Sequence, residues 1–311
     1  MRLCTIEHNQ NNRACLLVGN LLIDLTNLAL VAGRFRLPHS HLPFPSTVVE
    51  AASRAYRGPL VECAEVAVRR REELSAVARE EGLDLFHDPK TVTWAPPVTA
   101  PRKIICVGLN YRDHAEEQNL KPPEEPIIFA KFANTLRGHR EIIELPFISD
   151  KVDLEAELGF VIGKKATRIS EAEAPEYILG YTIVNDVSAR DLQKKDGQWL
   201  RAKSSDGFAP MGPCLVTPDE VPDPMGLNIE SYLNDFRMQS SNTRNLIFNV
   251  YQLTAFISRS ITLEPGDIIS TGTPGGVGVF RNPPMFLKDG DVMTIRVEGL
   301  GELQNPVRRG N

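Results

Sequence analysis

The stretch Asp153-Leu154-Glu155-Ala156-Glu157-Leu158-Gly159-Phe160-Val161-Ile162 constrains the fold more than any other part of the chain. Acids at 153, 155 and 157 alternate with apolar residues at 154, 156 and 158, a period of two that predicts a strand with one apolar face. At about 3.3 Å per residue, Glu155 and Glu157 leave that strand about 7 Å apart, within reach of a shared cation. Such a face is also what a wetted strand edge presents. Asp153 lies on the same face and reads as a supporting or surface charge, with metal ligation in reserve.

A second acid sharpens the pattern. The apolar run Ile178-Leu179-Gly180-Tyr181-Thr182-Ile183-Val184 ends in Asn185-Asp186. A carboxylate buried without a partner at a strand end costs several kcal/mol, so Asp186 calls for a cation. Glu155, Glu157 and Asp186 together offer three hard oxygen ligands with no soft or imidazole partner. That set favours Mg²⁺, with Mn²⁺ or Ca²⁺ as alternatives, over zinc or copper.

The rest of the chain of 311 residues supplies a frame. Short strands are expected at Leu3 to Ile6 and Ala14 to Asp24, with Gly19-Asn20 as a hairpin turn. Helical spacing follows at Thr47 to Tyr56 and Leu60 to Glu81, where Val61, Ala64 and Val68 form a stripe and Gly82 a stop. The prolines of Trp94 to Pro101 exclude helix and central strand and mark a boundary. A small N-terminal α+β support domain is therefore expected at 1–95 and a mainly β catalytic domain at 102–311. Asn245 to Ser258 reads as a core helix, and Asp186 to Gln193 as a helix start that sets Arg190 and Gln193 one turn apart.

Net charge is −5, which provides no global positive field for nucleic acid. No apolar segment has the length of a membrane span or a signal peptide. The five cysteines are scattered through apolar runs and suit reduced core thiols in a cytoplasmic protein.

Two further groups can carry chemistry. His114 and Glu117 stand three apart in a polar segment, Arg112 to Asn119, closed by Pro122-Pro123. A carboxylate beside an imidazole raises its basicity and fixes its tautomer, as a general base requires, although a surface ion pair has the same spacing. With almost no apolar face, this segment is expected to open and close as a lid. The run Gly272-Thr273-Pro274-Gly275-Gly276-Val277-Gly278 lacks the features of a nucleotide-binding loop. It offers backbone N–H groups and the Thr273 hydroxyl to a small anion, or forms a tight β-turn.

These blocks, in order, are Gly108-Leu109-Asn110-Tyr111-x-x-His114-x-x-Glu117, Asp153-x-Glu155-x-Glu157-Leu158, Asn185-Asp186-x-Ser188-Ala189-Arg190-Asp191-x-Gln193, Lys203 and Gly272 to Gly278. The set resembles the fumarylacetoacetate hydrolase family over roughly Lys103 to Pro306. The resemblance implies a mixed β-sandwich roll, usually as a homodimer, with Glu155, Glu157 and Asp186 as metal ligands. It further implies His114 and Glu117 as a catalytic dyad on a mobile lid, and Arg190, Gln193, Lys203 and Thr273 as holders of substrate oxygens, Lys203 with Thr273 steadying an oxyanion. Cys106 to Tyr111 contains no acid to match the further upstream aspartate of fumarylacetoacetase itself, so the chain is more similar to shorter, three-carboxylate members.

Those members act on small 2-oxo acids. The first expectation is a Mg²⁺-dependent hydrolase that cleaves a carbon–carbon bond in an acylpyruvate-type 2,4-dioxo acid through a metal-stabilised enolate. The second is an isomerase, tautomerase or decarboxylase of 2-oxo diacids such as oxaloacetate. A non-catalytic protein with a structural Ca²⁺ is the reading from another class, and it leaves His114, Glu117, Lys203 and Thr273 without a purpose.

Overall fold

A computed structural model describes residues 1–310. Its centre is a large mixed sheet whose main path runs Phe86–His87, Leu21–Asp24, Asn11–Val18, Arg2–His8, Ala209–Val216, Ile178–Asn185, Ala156–Ile162, Ile268–Ser270, Ile104–Gly108 and Ile127–Lys131. The proline segment crosses between the N-terminal and later residues without interrupting this sheet, because Arg2–His8 pairs with Ala209–Val216. A smaller sheet contains Phe236–Asn242, Asn228–Leu233, Val292–Val297, Gly301–Arg309 and Ile143–Leu145. The fold is mainly β with a minority of helix, as expected.

Two apolar layers hold it together. One packs the N-terminal helices, through Leu28, Leu60, Cys63 and Leu74, onto a face of the large sheet that includes Leu3, Val161 and Leu215. The other joins Leu158, Phe160 and Ile183 to Ile229, Ile295 and Leu303 of the smaller sheet and to Val250, Leu253 and Ile257 of the helix Val250–Ser258. The acidic strand is thus covered on both faces. Every residue of Ala156–Ile162 is buried, where the alternation alone suggested one wet face.

Other expectations shift for identifiable reasons. Helices form at Val48–Ala51, Arg54–Arg69 and Arg71–Glu80, but the buried stripe is Leu60, Cys63, Ala64 and Ala67, and Val61 stays exposed. The helix after Asp186 starts only at Arg190. The intervening N–H groups are taken in extended pairing, Asp186 by the Glu155 carbonyl and Val187 by that of Phe208, while Ser188–Ala189 pairs with Val152–Asp153. The core helix begins at Val250 rather than Asn245. Asn249 caps it in a reciprocal box with Gln252, while Thr243–Asn245 forms a single 3-10 turn and Asn110 binds the Phe248 backbone through both N–H and C=O, which keeps the helix from starting earlier. All five cysteines are buried and free.

Candidate active site

The expected carboxylates converge. Glu155 sits in the break before Ala156–Ile162, Glu157 is its second residue, and Asp186 follows the neighbouring strand Ile178–Asn185. The pairing of Ala156 with Asn185 puts them side by side. One oxygen from each of the three acids lies within 4.8 Å of the others, and all three residues are buried. Mg²⁺ at about 2.1 Å from each oxygen needs ligands about 3 to 4 Å apart, so a small inward turn of flexible side chains completes the set. The donor chemistry and spacing fit a hard divalent cation.

The backbone around the acids decides which oxygens are free. Glu157 Oε2 accepts from Ser270 Oγ at 2.5 Å and from Gly272 N at 2.9 Å, which leaves Oε1 for a ligand. Asp153 is fully used: its oxygens accept from the N–H groups of Leu154, Gly278 and Val279 and from Arg190 Nε. It supports the site from outside the ligand set. Gly278 makes this possible, since a Cβ there would stand 1.9 Å from the Met285 carbonyl oxygen and 2.6 Å from Asp153 Oδ1.

Two buried lysines and the nearly buried Arg190 face the three clustered acids. Lys203 Nζ lies 2.7 Å from both Glu155 Oε2 and Asp186 Oδ2. Arg190 Nη2 is 2.6 Å from Glu155 Oε1, as an ion pair without hydrogen-bond alignment, and Arg190 Nη1 donates to Gln193 Oε1 at 3.1 Å. Lys131 Nζ, 3% exposed for the residue, is 2.5 Å from Asp186 Oδ1 and donates to the Val187 carbonyl at 3.1 Å. Sequence reasoning missed Lys131, although its signal was present: a lone charge ending the run Ile127-Ile128-Phe129-Ala130, the mirror image of Asp186.

The charges split the acids. Burial acts to raise Glu155, yet Lys203 and Arg190 outweigh it and hold the carboxyl well below its ordinary value. Glu157 is pushed well above the usual carboxylate range by burial, reinforced by Asp186 and Glu155. Burial lowers Lys131 despite Asp186. The same burial opposes the charge on Lys203, but Asp186 and Glu155 win and raise it.

His114 and Glu117 meet as the spacing suggested, with Nδ1 3.0 Å from Glu117 Oε2. Glu117 Oε1 accepts from Gly276 N at 2.9 Å, so the glycine-rich turn orients the acid that orients the imidazole. The helix Arg112–Glu117 is held more firmly than its lack of an apolar face implied. Arg112 donates to the Leu246 carbonyl, and Asp113 accepts from Ser241, Asn245 and Gly275 N. The turn's N–H groups at Gly272, Gly276 and Gly278 are taken by protein carboxylates. Thr273 Oγ1 donates to the Ala156 carbonyl and accepts from Gln239 Nε2.

A cavity of about 520 Å³ connects these groups. Glu155, Glu157, Asp186, Lys203 and Thr273 line it together with His114, and Arg190 and Gln193 also reach it. With Nδ1 engaged by Glu117, Nε2 is the imidazole nitrogen left to exchange a proton with a ligand.

A family model described as the fumarylacetoacetate hydrolase C-terminal domain matches residues 103–308. The chain belongs to the fumarylacetoacetate hydrolase family. It is 52% identical over 213 residues to a mitochondrial oxaloacetate tautomerase of Xenopus laevis, covering 68% of this chain and 67% of that one. The crystal structure of a 5-carboxymethyl-2-hydroxymuconate delta-isomerase from Mycobacterium smegmatis matches with a TM-score of 0.73 at 33% identity, covering all of both chains. That of a fumarylacetoacetate hydrolase from Exiguobacterium antarcticum matches with a TM-score of 0.78 at 30% identity, again over the whole of both. The chain is thus an enzyme of this family, whose members are typically dependent on a divalent metal. No helix among the described residues is long and apolar enough to cross a membrane.

Proposed function

We propose that this enzyme interconverts the keto and enol forms of a small 2-oxo diacid of the oxaloacetate type, with Mg²⁺ as its cation. The observation that carries the reading is the identity of about half with an oxaloacetate tautomerase over 213 residues. Hydrolytic cleavage, the first expectation from sequence, becomes the second reading, supported by the more distant hydrolase likeness.

The chain's own groups suit a proton shift. A divalent cation held by Glu155, Glu157 and Asp186 supplies Lewis-acid polarisation of a 2-oxo group. His114, held by Glu117 through Nδ1, takes the proton of the enol hydroxyl on Nε2 and delivers it to C3 as the double bond moves to C2–O. Proton and electron pair are both conserved, and no water enters. Lys203 and Arg190 favour the negative charge that develops on the 2-oxygen, and Gln193 orients the acid's oxygens, while Thr273, its hydroxyl held between Ala156 and Gln239, shapes the floor beside them.

The decisive test follows enol-oxaloacetate decay by ultraviolet absorbance with purified protein. Acceleration in Mg²⁺ that disappears in EDTA and in His114→Ala is expected. Cleavage of an acylpyruvate with no effect on the enol would overturn the proposal in favour of hydrolysis. A cytoplasmic homodimer belongs to the same proposal. Phe147, 90% exposed, and Phe236, 52% exposed, offer apolar surface for a second copy, and light scattering reads the mass.

A further inference from the structure

The strand Ile127–Lys131 lays a gradient along the cavity. Its residues 127, 129 and 131 share one face by the period of two, at about 3.3 Å per step. Lys131 reaches Asp186 beneath the floor. Phe129 stands next, with Lys203 Nζ 5.2 Å from its ring centroid. Ile127, 43% exposed, lies at the mouth. The wall therefore turns apolar as soon as it leaves the charged floor.

Trp199 widens that wall. Its ring packs edge-on against Phe129, with centroids 5.3 Å apart and planes at 77°. It also lies against Gly108, where a Cβ would come within 2.6 Å of Trp199 Cζ3. Only glycine at 108 permits the indole to sit there, so the backbone is shaped to accept the aromatic surface. Leu120, 50% exposed, and Phe280, 46% exposed, also line the outer cavity. Solvent-facing apolar groups of this size, set in one cavity above a charged floor, call for an apolar occupant. A four-carbon diacid held on the carboxylate floor is too short to cover them in a cavity of about 520 Å³.

We infer that the Phe129–Trp199–Ile127 wall is a binding subsite for an apolar aryl substituent on a 2-oxo acid, so that the enzyme's ligand class extends to aryl-substituted 2-oxo acids. This rests on the proposed reading only in that the floor holds the 2-oxo acid end. Burial of such a substituent against two aromatic rings and an isoleucine tightens binding without altering the contacts that the acid end makes with the floor.

The test uses two unreactive analogues that share the acid end, oxamate and N-phenyloxamate, titrated calorimetrically in Mg²⁺. The phenyl compound is expected to bind the unmodified enzyme at least tenfold more tightly. Trp199→Ala and the solvent-facing Ile127→Ser should each cut that advantage at least threefold and leave oxamate affinity within twofold. Equal affinities for the two compounds, an advantage that survives both substitutions, or no binding of either would overturn the inference. The two readings separate cleanly. A phenyl advantage without enol turnover sinks tautomerisation alone, and turnover without the advantage sinks the subsite alone.

Discussion

Replacing Lys131 with Met should destabilise the metal-free protein strongly and at the same time tighten its hold on the cation. The Lys131 ammonium is 2.5 Å from Asp186 Oδ1, and both side chains are at most 1% exposed. Removing one partner of such a buried pair costs about 3–5 kcal/mol, because the other charge is left behind. Loss of the donor to the Val187 carbonyl adds about 1 kcal/mol. The second cost is the same with or without a metal, but the first is not. A divalent cation on Asp186 supplies the positive charge that the substitution removed, so the loaded variant loses less. The difference must appear as affinity, about tenfold for each 1.4 kcal/mol. Urea denaturation in EDTA and in saturating Mg²⁺, with a parallel Mn²⁺ titration, measures both sides of the cycle. A stability loss equal in the two conditions, or below about 1 kcal/mol in EDTA, would refute the view of Lys131 as a counter-charge to the ligand set.

Three more outcomes follow from the site. Glu157 is raised above the usual carboxylate range in the metal-free fold, so cation binding must expel its proton in the window between the ordinary and the raised value. Affinity for Mg²⁺ therefore climbs with pH, and calorimetry in two buffers at a series of pH values above the ordinary carboxylate range should detect proton release, with none at any pH speaking against the assignment. His114→Gln should lower kcat on the order of 10²- to 10⁴-fold while Mg²⁺ affinity stays put, as the proposed role of the imidazole as proton carrier rather than ligand requires. Asp113→Asn weakens the contacts to Ser241, Asn245 and Gly275. Hydrogen exchange in Arg112 to Asn119 should then speed up at least tenfold with global stability within about 1 kcal/mol, and unchanged exchange would show that the latch lies elsewhere.

The parts of the fold legible in the sequence are those set by local chemistry. The Gly19-Asn20 hairpin, the strand ending at Asp186 and the helix stop near Gly82 each rest on a few adjacent residues, and each is present. Misreadings arise where distant backbone competes for the same N–H groups. Residues 186 to 189 have a helix-like opening, yet their donors go to Glu155, Phe208 and the strand Val152–Asp153. Periodicity likewise set Val61 beside Ala64 and Val68, but which side of the helix Arg54–Arg69 is buried depends on the sheet it meets. Val161 and Glu157 share a face of a strand covered on both sides, and a period of two cannot say whether the acidic face meets water or protein.

The same limit explains why the three clustered acids were legible in the sequence and Lys131 was not. Three carboxylates two and thirty-odd positions apart declare themselves because acids in strands are unusual, whereas one lysine after an apolar run looks like any surface charge. The chemistry of burial nevertheless demands it. Asp186 is fully buried and its second oxygen faces Lys203, so its first needs another cation whatever the metal does. Lys131, Lys203 and Arg190 offset all but one of the four buried acids Asp153, Glu155, Glu157 and Asp186, so the cluster carries little net charge before any ion arrives. A cluster so nearly compensated binds a divalent ion less tightly than bare acids would, and leaves net positive charge once it is loaded. That residual charge would suit the dianionic 2-oxo acid proposed as substrate, so the lysines that weaken the metal are the groups that would draw such an anion to the loaded site.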